Sequence, residues 1–179
     1  MLCPRLFSLV TSRPRSVLLN YLREHLILDL KARLPETYDL LQSANLVVHD
    51  AVDGIVLSGS RGPKGGSRPE SDIDLSLIVN VHPWTPASSK EMLFRTVISQ
   101  TLEFWNSPID LDAAVVFDKT DCGLKCFQLS AFHEVSCPFM KADCFGIYQI
   151  QKGFDGFVPE MNIQIRNVFP MLMIWQRSR

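Results

Sequence analysis

A chain of 179 residues that is 46% hydrophobic is long enough to bury one sizeable core, so a single self-folding domain over 1–179 is the expectation. Its 18 basic and 19 acidic residues nearly cancel, which excludes a global field that would draw it to nucleic acid or to an anionic membrane; any phosphate chemistry has to be local. No apolar run approaches the roughly 18 residues that a spanning helix needs, and five cysteines (Cys3, Cys122, Cys126, Cys137 and Cys144) read as reduced thiols in a cytosol rather than as a disulfide framework.

The first residues, MLCPRLFSLVTSRPR, are basic and apolar, but Pro4, Arg5 and Arg13 interrupt them and no small-residue cleavage site follows. They read as no signal peptide, and the protein as soluble and cytoplasmic. From Ser16 to Leu34, Val17, Leu18, Tyr21, Leu22, Leu26, Leu30 and Leu34 recur at helical spacing, with Pro14 where a helix can begin and Pro35 ending it. The stretch 36–50 reads as a second helix fraying near Asn45, which makes 1–52 a helical lead-in. Next, GIVLSGS (Gly54 to Ser60) is a short apolar run that suits a buried strand, and RGPKGGSRPES (Arg61 to Ser71) is too rich in glycine and proline for regular structure. DIDLSLIV (Asp72 to Val79) alternates, with Ile73, Leu75, Leu77 and Val79 on one face and Asp72, Asp74 and Ser76 on the other.

Ser88 with Glu91 three residues on is a capping-box signature for a helix running to about Trp105, with Phe94, Val97, Ile98, Thr101 and Leu102 as its buried stripe. IDLDAAVVFD (Ile109 to Asp118) reads as a third strand with Asp110 and Asp112 on one face. Residues 53–118 thus form a core and 119–179 a C-terminal extension. Within the extension, Phe145 to Phe157 alternates enough for a strand or hairpin, and the last segment mixes helical periodicity with an interrupting Pro170.

The chemistry-bearing unit is GS, then a loop, then DID, then a separate strand carrying DLD. Asp72 and Asp74, two apart on a strand, point the same way, and a carboxylate from a neighbouring strand completes a cage for divalent cations. Such a cluster calls for metal, because two unit charges about 4 Å apart repel by roughly 4 kcal/mol at moderate dielectric. Oxygen-only ligands favour magnesium or manganese, which take further oxygens from substrate phosphates and, in pairs, stabilise an in-line phosphoryl displacement. In the preceding loop Gly59 permits close backbone approach, Ser60 offers a hydroxyl and an N–H, and Arg61, Lys64 and Arg68 bring positive charge for a triphosphate tail.

The residues Gly59 and Ser60, the pair Asp72 and Asp74 in RPESDIDLSLIV, and a later Asp on an apolar strand resemble the nucleotidyltransferases of the DNA polymerase β superfamily, especially their minimal bacterial members. The resemblance covers roughly Ile55 to Phe117, about a third of the chain. It implies an α+β fold, a mixed sheet flanked by helices. It also implies that Gly59 and Ser60 contact a nucleoside triphosphate, ATP first, and that Asp72 and Asp74 bind two magnesium ions. A third carboxylate, Asp112 or alternatively Asp110, would bind metal and help deprotonate the acceptor; Asp112 is favoured as the deeper of the two. Transfer of a nucleoside monophosphate to a hydroxyl or other acceptor, with release of pyrophosphate, is the implied reaction.

The acceptor is not written in the sequence. A small molecule, a residue on a partner protein in an antitoxin-like or regulatory pairing, and a homodimer all fit a chain too short to contain a separate substrate-binding domain, and a nucleotide-binding module without turnover is the remaining alternative. The loop is not a Walker motif, since no GKS or GKT closes it, and the DxD is no EF-hand, since Ser76 and Leu77 stand where a third ligand and a glycine belong. A zinc site over Cys122, Cys126, His133 and Cys137 lacks a CxxC knuckle, and the histidines and tryptophans read as structural.

Overall fold

A computed structural model describes residues 27–120, 122–124, 143–160 and 162–177. Of the first expected helix, α1 covers Ile27–Arg33, and the part before it lies outside the described residues. Pro35 not only stops α1 but occupies the first position of α2, Pro35–Ser43, where its missing N–H costs nothing. The second helix is shorter than expected. Leu46, Val47 and Val48 are all buried, and three consecutive residues cannot all face one core from a helix that turns about 100° per residue. The chain therefore leaves α2 in extended form at Ala44.

Among the described residues six strands form one mixed sheet: β1 (Val52–Ser58), β2 (Ile73–Val79), β3 (Leu111–Asp118), β4 (Phe145–Gln149), β5 (Gly156–Phe157) and β6 (Leu172–Gln176), in the order β5-β4-β3-β2-β1-β6. The β2–β3 pair is parallel and the others are antiparallel. A parallel neighbour needs a crossover, which α3 (Ala87–Phe104) supplies. The helix starts at Ala87 with Pro86 as N-cap and no side-chain cap, so the expected Ser88–Glu91 capping box does not form. Ser88 is already inside the first turn, where Lys90 N–H bonds to the Pro86 carbonyl.

The sheet face against α3 is part of the core. Phe94, Val97, Ile98 and Thr101 of α3 are buried, as are the alternate residues Ile73, Leu75 and Leu77 of β2 and Leu111, Ala113, Val115 and Phe117 of β3. The ring of Phe94 lies 4.9 Å from that of Phe117 and 5.8 Å from that of Tyr148. The hairpin expected within 145–157 is β4–β5. The last segment differs from its helical reading: α4 (Ile165–Val168) is a single turn, and beyond Pro170 the apolar run MLMIW becomes β6, buried from Leu172 to Trp175 against β1. A continuous apolar run of this length suits a strand covered on both faces.

Candidate metal centre

Parallel pairing sets Asp74 of β2 directly beside Asp112 of β3, on the sheet face opposite α3, and Asp72 lies two residues upstream of Asp74 on the same side. One carboxylate oxygen from each of Asp72, Asp74 and Asp112 lies within 4.8 Å of the other two. Asp110 lies just before β3 and is exposed; its backbone carbonyl accepts the Ile73 N–H at 2.9 Å, and its side chain is not in the group. Gln149 of β4 donates to Oδ1 of Asp112 at 2.6 Å, which orients that carboxylate and leaves Oδ2 toward its neighbours.

Gly59 immediately follows β1 and packs against this cluster. Its φ is +68°, and a Cβ built there would overlap Oδ2 of Asp74 and come within 2.6 Å of its Cγ. Only glycine meets both demands. Ser60 follows, half-buried.

The three expected loop cations part company. Arg61 is buried, and its guanidinium donates to the backbone carbonyls of Ser71 (2.6 Å), Arg68 (3.0 Å) and Pro69 (2.9 Å). Its own carbonyl accepts from Thr37 Oγ1 of α2 at 2.7 Å. Arg61 therefore clasps the far end of the loop, immediately before Asp72, onto its start, and α2 holds the clasp. Lys64 and Arg68 are exposed, and among the described residues their side chains make no hydrogen bond or ion pair.

A residue that the sequence reading did not single out completes the cluster. Lys152, in the turn between β4 and β5, places Nζ 2.7 Å from Asp72 Oδ2, 2.6 Å from Asp112 Oδ2 and 3.6 Å from Asp74 Oδ1. Gln151 pins the base of that turn to β3: it accepts from Ala113 N–H and donates to the Leu111 carbonyl, each at 2.9 Å. A basic residue beside glycine at a hairpin tip was the available signal, and it is a weak one.

Burial raises the pKa of Asp74, the charges of Asp72 and Asp112 raise it further, and Lys152 opposes them without winning. Burial works against the Lys152 charge, but hydrogen bonds to Asp112 and Asp72 outweigh it and hold the ammonium above the usual lysine range. One cation among three carboxylates still leaves two negative charges uncompensated. Oxygen donors at this spacing suit a hard divalent ion, so the donor set fits magnesium or manganese.

Of the expected thiols, Cys122 and Cys144 are half-buried, the Cys144 thiol facing the Ile163 carbonyl at 3.8 Å, while Cys3, Cys126, Cys137 and His133 lie outside the described residues, and with them the zinc alternative. Among the described residues no helix is long and apolar enough to cross a membrane. No protein-family profile, no curated protein and no solved structure matches this chain.

Proposed function

We propose that the protein is a magnesium-dependent nucleotidyltransferase with a nucleotidyltransferase-like fold. The observation that carries this reading is the convergence of Asp72, Asp74 and Asp112 on one sheet face, with a side-chain-free Gly59 backbone packed against the Asp74 carboxylate. A hard-ligand cage and a strand end open to close approach are what triphosphate binding beside divalent cations requires.

Asp72, Asp74 and Asp112 would hold the divalent cations, which would supply charge neutralisation of the phosphates and stabilisation of the attacking and leaving oxygens. Gly59 admits the triphosphate to within backbone distance, and Ser60 offers it a hydroxyl and an N–H. Lys64 and Arg68, exposed on the same loop, meet its outer oxygens. Asp112, its Oδ1 fixed by Gln149, takes the acceptor proton at Oδ2 as the acceptor oxygen attacks the α-phosphorus and pyrophosphate leaves. Arg61 acts on none of these atoms; it sets the distance between Gly59 and Asp72.

The triphosphate base and the acceptor, whether a small molecule or a partner protein, are named by one experiment. The protein is incubated with each nucleoside triphosphate, magnesium and candidate acceptors; pyrophosphate release is followed and acceptors are weighed by mass spectrometry. A gain of one nucleoside monophosphate supports the reading. Absence of transfer with retained triphosphate binding supports the second reading, a nucleotide-binding module without turnover, which the Lys152 contacts with all three carboxylates favour.

A further inference from the structure

We infer that Lys152 is a tethered competitor of the metal: its ammonium takes the place of a divalent cation among Asp72, Asp74 and Asp112 and must leave for one to enter. The inference rests on the metal centre proposed above and adds a device that controls its occupancy.

Nζ approaches Oδ2 of Asp72 at 2.7 Å and Oδ2 of Asp112 at 2.6 Å, within a group whose ligand oxygens span no more than 4.8 Å. A magnesium ion about 2.1 Å from those same oxygens would touch the ammonium, and two cations in contact repel. The two occupants exclude one another.

Release is built into the turn. The Lys152 side chain is half-exposed, and the residue has φ +53° beside Gly153 at φ +85°, beyond the last ladder residue of β4. The ammonium can therefore leave on its own flexible stem with no ladder hydrogen bond broken. Return is built in as well, because Gln151 ties the turn to Leu111 and Ala113 on either side of Asp112. A competitor anchored one residue away has a high effective concentration, so metal meets it at every binding event.

The apparent metal affinity is then lowered by the fraction of time the latch is open, about tenfold if it is open about a tenth of the time. Manganese titrations followed by electron paramagnetic resonance compare the wild type with Lys152→Met, which keeps the stem and removes the charge, and with Lys152→Arg, which keeps the charge. The methionine variant is expected to bind about tenfold more tightly and the arginine variant like the wild type. In parallel, magnesium added to wild-type protein should shift the Lys152 Cε resonance from its ion-paired position to that of a free lysine. Equal or weaker manganese binding by Lys152→Met, or a Lys152 resonance that stays in place while magnesium binds, overturns the competitor and leaves the metal centre standing. Failure of all three proteins to bind manganese at millimolar concentration removes the metal centre and the competitor together.

Discussion

Replacing Gly59 by alanine tests whether the strand end is shaped by the carboxylate beside it, and Gly65 provides the matched control. Both glycines lie in the left-handed region, at φ +68° and +70°, so an alanine at either position incurs the same backbone cost of about 1–2 kcal/mol. A Cβ on Gly65 meets nothing within 4 Å, whereas one on Gly59 overlaps Asp74 Oδ2 and stands 2.6 Å from Cγ and 3.1 Å from Cβ of Asp74. The Asp74 side chain has to move off its rotamer, adding about 0.5–1.5 kcal/mol, and in moving it leaves the group it shares with Asp72 and Asp112. Urea denaturation should therefore place Gly59→Ala about 0.5–1.5 kcal/mol below Gly65→Ala. Manganese titration should separate them further, since disturbing a group that positions a metal ligand typically costs about 10–100-fold in affinity. Gly65→Ala should bind metal like the wild type. If the two variants match each other in stability and in manganese affinity, Gly59 is an ordinary turn glycine and its fit against Asp74 has no consequence.

Arg61→Leu strands the carbonyls of Arg68, Pro69 and Ser71 and should cost about 2–4 kcal/mol by urea denaturation, with Arg61→Lys recovering only part because a single ammonium cannot span the fork. Asp112→Asn should lower nucleotidyl transfer by about 10²–10⁴-fold at saturating magnesium and triphosphate. Asp110→Asn should leave it unchanged, since Asp110 is exposed and outside the group; the reverse order in stopped-time assays refutes the assignment. Asp74, whose folded pKa is raised above 3.8, binds protons more tightly folded than unfolded, so its ionisation removes stability as pH rises from that value. In metal-free buffer Asp74→Asn should therefore melt higher than the wild type at neutral pH, and the gap should close as pH falls below about 4; a gap that does not change with pH refutes the shift.

The strands and helix that carry the site were legible because each is a clean periodic pattern. Ile73, Leu75, Leu77 and Val79 alternate against Asp72, Asp74 and Ser76, and the buried positions of β2 follow that alternation as far as Leu77, after which Ile78 is buried too. Phe94, Val97, Ile98 and Thr101 recur on one side of α3 and are its buried residues. Legibility failed where two patterns competed. Leu46, Val47 and Val48 continue an apolar helix in sequence but lie outside any helix, because burial of all three outweighs helical spacing. Leu172 to Trp175 has no alternation at all, since a strand buried on both sides needs none.

Within the site, sequence shows charge but not partners. Arg61, beside a glycine-rich loop, reads as a phosphate ligand until three backbone carbonyls are found around its guanidinium. Lys152 has no motif around it, and reaches the carboxylates only because β4 pairs with β3.

The choice between Asp110 and Asp112 marks the same boundary. A one-residue slip of β3 against β2 would turn Leu111, Ala113 and Val115 out of the core, so hydrophobic alternation forbids it and the parity of the pairing is readable from sequence. A two-residue slip keeps every apolar side chain on the buried face and would set Asp110, instead of Asp112, beside Asp74. Alternation cannot distinguish these registers. What does so is the Ile73 N–H bonded to the Asp110 carbonyl and the Gln151 amide spanning Leu111 and Ala113, which lock β3 from both edges. The third carboxylate is thus chosen by residues whose own patterns say nothing of metal, and a Gln151→Leu variant that kept the same register would show that the alternation and the Ile73 bond suffice.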